Sequence, residues 1–310
     1  MKREIMIMAG FAAMAISCTK TEFLEVSDSM EIRFENAFVD KLTKADITNS
    51  SLNSFVAYGH DGKGNMLIEN LKVSRNKTDG TWEYGSPVLW QKSEGFTFSA
   101  YAPSDAYEAI SGISSDEKFT FDYNSDNFHQ HDLVLAEERY VPGQSVELDF
   151  KHMLSILTFV IKSEESSGVI FRINSMKVSG INTTGHFNGS EFVGLADPGT
   201  YDLTEGTGGT CCHIDDFSSR EIYVLPQELD KGECTIELDI DAVDTFGNLL
   251  TYNDNLVIKL PSVQWKESNS YTITTDLNVN EINPDIKVHK IEFSVGVSDW
   301  EPADGCEIMS

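Results

Sequence analysis

The stretch "CTIELDID", residues 234–241, decides the fold. Ile236, Leu238 and Ile240 fall on one side of an extended chain, and Glu237, Asp239 and Asp241 fall on the other. Successive side chains of a strand point to opposite faces, so this is the pattern of a strand with one face buried and one in water. A helix would need its apolar residues spaced three and four apart. The same alternation recurs in "SMEIRFE", "SFVAYG", "FTFSAYAP", "SVELDF", "NLVIKL", "SYTITTDL" and "KIEFSVGV". Polar turn clusters separate these runs, among them "HDGKGN", "KTDG", "KSEG", "NTTGHFNGS", "TFGN" and "KESNS". Short half-buried strands joined by such turns predict an all-β chain of antiparallel β-sandwiches. The one short helix expected lies at Asp105 to Ile110.

A chain of 310 residues has room for two domains of ordinary size. The segment "EERYVPGQS", residues 137–145, marks a boundary and suggests units at 45–143 and 144–310. The net charge is -27 and is spread along the chain. That charge excludes nucleic acid as a partner, because phosphate binding needs clustered Lys and Arg. It also repels anionic lipid surfaces.

The N-terminus has the parts of an export signal. Lys2 and Arg3 form a positive start, and Ile5 to Ile16 form an apolar run within the usual length of about 7–15 residues. A membrane-spanning helix needs roughly 20 apolar residues, so this run is too short to be an ordinary anchor. It ends in Ala15-Ile16-Ser17-Cys18, which resembles a bacterial lipobox. The expectation is a signal peptide at 1–17 and a lipid on Cys18, the only attachment to a membrane. The remaining cysteines are Cys211, Cys212, Cys234 and Cys306. Their spacing fits no zinc motif, and export permits pairing. The adjacent Cys211 and Cys212 are poorly placed to bond to each other.

Candidate chemistry is sparse. His129, His131 and Asp132 lie at strand spacing, but a metal site needs a further ligand and supporting groups. Asp239, Asp241 and Asp244 lack the glycine and terminal glutamate of a calcium loop. His152 lies in a dense apolar run and reads as a hydrogen-bonded core histidine. There is no phosphate loop, nucleophile elbow or His-Glu metal helix. No cofactor, metal or catalytic residue is expected, and the chain reads as a non-enzyme. Trp82 and Tyr84 are candidates for an aromatic platform, and strand-core packing accounts for them equally well.

Several landmarks together resemble the fimbrillin-like family of Bacteroidales, the lipoprotein pilins of major and minor fimbrial subunit type. They are "LWQKSEGFTFSAYAP" (89–103), "HDLVLA" (131–136), "VELDFKHMLSILTFVI" (146–161), "SGINTTGHFNG" (179–189), "YVLPQ" (223–227), "WKESNSYTITTDL" (265–277) and "IEFSVGVSDW" (291–300). The resemblance implies two transthyretin-like β-sandwich domains. It implies a structural subunit of a cell-surface fimbria, exported as an outer-membrane lipoprotein precursor. Assembly would follow proteolytic removal of an N-terminal strand, within a pro-segment at 18–44, and donor-strand exchange with other fimbrial subunits. The alternative is a tip adhesin or stand-alone surface lipoprotein that binds a host glycan or protein.

The residues supply a physical basis for such an exchange. Met30, Ile32 and Phe34 alternate with Glu31 and Arg33 near one end. Ile291, Phe293, Val295 and Val297 alternate with polar residues and Gly296 near the other. A missing edge strand leaves unpaired backbone and an apolar groove, which a strand of another chain can fill. Burying four such side chains yields about 6–12 kcal/mol before ordering costs. The processing site is expected in the polar stretch "VDKLTKADITNSS", at Lys44 or Lys41. The C-terminal run is equally readable as an ordinary strand of its own sandwich.

Overall fold

A computed structural model describes residues 30–39, 47–115, 118–125, 131–163, 168–204, 212–213, 216–285, 291 and 293–299. Strand β1 (Phe34–Val39) is followed by β2 (Ser54–Asp61), β3 (Met66–Arg75), β4 (Trp82–Glu83) and β5 (Phe96–Ala102). The expected short helix is a 3-10 turn at Ser104–Glu108, leading into the hairpin of β6 (Ile110–Ser114) and β7 (Thr120–Asn124). Next come β8 (Val134–Tyr140), β9 (Val146–His152) and β10 (Ser155–Ser163), and then the long hairpin of β11 (Val169–Phe187) and β12 (Phe192–Asp202). Short strands β13 (Cys212–His213), β14 (Asp216–Ser218), β15 (Ile222–Val224) and β16 (Gln227–Leu229) precede the hairpin of β17 (Thr235–Asp244) and β18 (Leu249–Lys259). The last elements are β19 (Val263–Trp265), β20 (Asn269–Leu277), a helical turn α1 (Val279–Ile282) and β21 (Phe293–Asp299).

Alternation predicted the burial well. In β17, Ile236, Leu238 and Ile240 are buried, and β9 alternates buried and exposed along its whole length. The strands form a first sheet in the order β1-β9-β8-β5-β2-β3-β4. A second runs β14-β10-β20-β21, with β15 also on β10. A third runs β18-β17-β11-β7-β6, with β12 and β13 alongside β11. Most pairs are antiparallel, but β1 lies parallel to β9 and β10 lies parallel to β20. Period-two alternation is common to both directions, so the two parallel pairs could not be read from it.

The first sheet is buried on both faces. On one side Phe34, Phe55, Phe98 and Phe150 form a core with Trp90. On the other, Val56, Tyr58 and Tyr101 pack against Phe121, Phe187 and Leu225. A third cluster joins the second and third sheets around Phe159, Phe171, Trp265 and Ile273. Strand β11 links these regions. Its first half pairs with β17, and its last residues pair with β7. The change of partner comes after an irregularity at Gly180, which takes a φ of 90°. The boundary expected at 143/144 falls in the turn between β8 and β9, which pair with each other.

Two hairpins share one turn design. In the sequences D-G-K-G-N (61–65) and D-T-F-G-N (244–248), the aspartate holds the turn. Asp61 Oδ1 accepts from the backbone N–H of Lys63 at 3.0 Å and of Asn65 at 2.9 Å, and Oδ2 accepts from the Asn65 side chain at 2.9 Å. Asp244 does the same with Phe246, Asn248 and the Asn248 side chain, each at 2.8 Å. Gly64 and Gly247 supply the left-handed conformation, at φ of 81° and 86°. The asparagine side-chain hydrogen bond, followed by the backbone donors, holds both aspartates below the usual carboxylate range.

Candidate functional site: the N-terminal strand and its groove

Residues 30–39 are held on two sides. Along β1 the core row is parallel to β9, with Phe34 opposite Val146, Ala37 opposite Leu148 and Val39 opposite Phe150. Upstream, the chain runs antiparallel to residues 88–90. Ile32 N–H donates to the Val88 carbonyl at 2.8 Å, and Trp90 N–H donates to the Met30 carbonyl at 2.9 Å. The Val146 N–H donates to the Arg33 carbonyl at 2.7 Å where the two pairings meet. Tyr84 closes the clasp by donating its hydroxyl hydrogen to the Ile32 carbonyl. Burial, and then the neighbouring Glu31 carboxylate, push the Tyr84 phenol above its usual pKa, so it remains a donor.

The side chains fill a deep slot. Ile32 is 0% exposed, Phe34 4% and Val39 2%. The Phe34 ring meets Phe55, Tyr84 and Phe98 edge-on at 5.4, 6.0 and 6.2 Å between centroids. Such edge contacts add to the apolar burial. Met30, expected in the same row, is 45% exposed and lies outside the slot. Ala37 and Val39 complete the row instead, because the register shifts by one residue between Phe34 and Asn36. This bulge resets the alternation, so a regular reading from Met30 loses the row after Phe34. The signal was there in "FENAFV", where Ala37 and Val39 keep period two with a one-residue offset.

Trp82 and Tyr84, the candidate platform residues, are both engaged. Trp82 packs on Phe55 with centroids 5.0 Å apart and carries the Arg75 guanidinium 5.9 Å above its ring. Tyr84 serves Ile32 and Phe34. These rings build the wall of the slot. Replacing Tyr84 with Phe keeps the wall and removes the hydroxyl. We expect a loss of about 1 kcal/mol, read as several-fold faster amide exchange at Ile32 than in the parent.

The other predicted strand is held differently. β21 pairs antiparallel with β20, placing Phe293 opposite Thr275, Val295 opposite Ile273 and Val297 opposite Tyr271. Among the described strands no other pairs with it. Ile291 and Phe293 pack on the third cluster, but Val295 is 40% exposed and Val297 59% exposed. The row that faces the core is therefore half in water.

His152 is a buried core residue, as expected, and its Nδ1 lies 2.6 Å from Asp132 Oδ2. Asp132 thus serves His152, at the start of β8 and the end of β9. Asp239 accepts from the Asn174 side chain at 2.9 Å. No group of three or more potential metal ligands occurs among the described residues. Cys234 is buried, which pushes its thiol up to about 12. Cys18, Lys41, Lys44, Cys211, Cys306 and His129 lie outside the described residues, and the side chain of Cys212 does too.

The fold is thus an all-β stack of sheets whose first sheet is completed by an N-terminal strand. A model of the fimbrillin-like family matches residues 43–300, and the chain belongs to that family. It is similar to the crystal structure of a fimbrial protein from Bacteroides vulgatus, at 15% identity and a TM-score of 0.60, over 87% of this chain and 100% of that one. It is also similar to a candidate cell adhesion protein from Bacteroides ovatus, at 14% identity and a TM-score of 0.54, over 89% of this chain and 99% of that one. At such identities the likeness is one of fold. No curated protein matches the chain.

Proposed function

We propose that this chain is a structural subunit of a cell-surface fimbria. It is exported as a precursor with a lipid on Cys18 and reaches the outer membrane in that form. Cleavage after Lys44 or Lys41 then separates residues 30–39 from the rest of the chain. Another subunit fills the vacated slot with a strand. The role is one of assembly and adhesion, without catalysis.

The observation that carries this reading is the order of slot and cut. The whole core-facing row, buried Ile32, Phe34 and Val39 with half-buried Ala37, lies upstream of both lysines. One cut therefore turns a covalent part of the sheet into a separate peptide. What keeps that peptide in place is then noncovalent, and a competing strand of equal fit can replace it. The family match begins at residue 43, beyond β1. The second reading, a tip or stand-alone binder of a host glycan or protein, draws on the hairpin tip, where Phe246 is 89% exposed.

Limited trypsin digestion of the purified protein tests the proposal. Filaments in electron micrographs, and SDS-resistant ladders, are expected only after digestion. The new N-terminus should be Ala45 or Leu42. Lys41→Ala combined with Lys44→Ala should keep the chain whole and monomeric. A chain cut at either lysine that stays monomeric at high concentration would overturn the proposal and favour the binder.

A further inference from the structure

Strand β18 is the outermost strand of the third sheet, and among the described residues no strand pairs along its other edge. An open edge of eleven residues is a template for another chain. Tyr252 and Val257 stand on its outer face, 48% and 45% exposed. Thr251, Asn253, Leu256 and Ile258 face inward, opposite Ala242, Ile240, Leu238 and Ile236.

The middle of the strand is irregular. Leu238 pairs with Leu256 and Ile240 with Asn253, so Asp254 and Asn255 together oppose the single residue Asp239. The Asn253 side chain pins this bulge by accepting from the Asn255 N–H at 3.1 Å. A bulge bends an edge and spoils its match to a regular strand. It does not spoil the match to a strand with the same bulge.

We infer that β18 is the contact through which a second copy of this chain joins laterally, antiparallel, about a twofold axis between Asp254 and Asn255. In that register Tyr252 of each copy faces Val257 of the other. Asn253 faces Leu256, Thr251 faces Ile258 and Asp254 faces Asn255. Residues directly opposite in an antiparallel pair lie on the same side of the sheet, and the three flanking pairs all meet that condition. A shift of one residue either way sets Tyr252 and Val257 against inward-facing residues. A shift of two sets the bulge of one copy against regular strand in the other. The bulge therefore selects an identical partner in one register, and the contact closes on itself as a symmetric pair.

The local charges suit this contact despite the net charge of -27. Across the joined sheet, one outer row reads Arg172, Asp241 and Tyr252, then Val257, Glu237 and Lys177 of the second copy. Each carboxylate has a cation of its own chain beside it. The two apolar residues keep the carboxylates three strand spacings apart, about 14 Å, beyond the screening length of about 8 Å in physiological salt. Tyr252 against Val257 is an aromatic and β-branched pair, of the kind that stabilises neighbouring strands, and the twofold axis supplies it twice.

One strand against one strand is a small contact, so a single pair is weak and the uncut chain is monomeric at micromolar concentration. Along a fimbria the same edge would recur, and contacts weak singly add up between filaments lying side by side. Strand β18 belongs to a different sheet from β1, so lateral joining leaves the slot free. This bundling rests on the fimbrial reading above, and the pair itself does not.

The uncut full-length chain tests the pair without any strand exchange. Sedimentation from about 1 µM to about 1 mM should carry it from monomer to dimer. Asn255→Asp sets two carboxylates directly opposite each other, twice, and should weaken the dimer about tenfold. Position 255 is exposed, so this variant should melt as the parent does. Adding Asp254→Asn restores an amide opposite each carboxylate and should bring the affinity back within about twofold of the parent. A Tyr252→Cys chain mixed with a Val257→Cys chain and oxidised should give a 252–257 link between chains, mapped by mass spectrometry. A parent that stays monomeric at 1 mM, or an Asn255→Asp chain that pairs as the parent does, would overturn the contact. Preferential 252–252 or 257–257 links would overturn the register. After trypsin digestion, filaments of the parent should lie in bundles and those of Asn255→Asp singly. Dimers of the uncut chain without filaments after digestion would overturn the fimbrial reading and leave the pair standing.

Discussion

Gly180→Ala is expected to cost about 4 kcal/mol or more, enough to unfold much of the protein at 37 °C. A methyl group on Gly180 would lie 2.0 Å from the Glu233 carbonyl oxygen and 2.9 Å from its carbon. Both are backbone atoms just ahead of β17, so no rotamer change can relieve the collision. The residue also sits at a φ of 90°, outside the range comfortable for alanine. Gly194→Ala is the control. It has a φ of 62° and nothing within 4 Å of the added methyl. It should lose only about 1–2 kcal/mol. Thermal melts of the two variants therefore separate the collision from the conformational penalty. Equal losses would mean that the close approach of β11 to residue 233 is not what fixes the change of partner.

Asp132→Ala is the second change with a large expected effect. Asp132 is 0% exposed and His152 is 1% exposed, so neither has water to fall back on. Removing the carboxylate takes the 2.6 Å partner from the Nδ1 of a fully buried imidazole. Breaking a buried pair from one side costs about 3–5 kcal/mol. Asp132→Asn keeps an acceptor in place and should lose about half as much. Urea unfolding of both variants gives the comparison. An alanine variant no less stable than the asparagine variant would show that the hydrogen bond carries nothing.

These two sites differ in how far the sequence announced them. His152 was readable as a core histidine from its apolar neighbours in "DFKHMLS", but its partner lies twenty positions earlier, beside residues that read as metal ligands. Gly180 was one glycine among several in turn-like surroundings. Its role depends on a carbonyl fifty-three positions away, which local patterning does not encode. The strands themselves were legible, because one-sided burial imposes period two wherever a sheet covers a core. Strand direction was not, and neither was the long reach of β11 from one region to another.

The slot was half legible for a related reason. Ile32 and Phe34 obey the alternation, and their burial followed from it. The bulge at residues 34–36 hid Ala37 and Val39, and Met30, though in period with Ile32 and Phe34, lies beyond the slot. The clasp at 84–90 was hidden because Tyr84 acts through its hydroxyl on a carbonyl fifty-two positions away. Pro142 and Gly143 marked a change of direction in the chain. Proline and glycine are the residues that pre-set the backbone for such a turn, and the turn joins β8 to β9.

The paired Asp–Asn turns have a practical consequence. Each is closed by its own aspartate, glycine and asparagine, and the middle side chain takes no part in the closure. Nature has already placed a lysine in one and a phenylalanine in the other. Position 246 is therefore a mounting point: a dye, a tag or a short foreign epitope attached there would stand in water on a turn that closes without it.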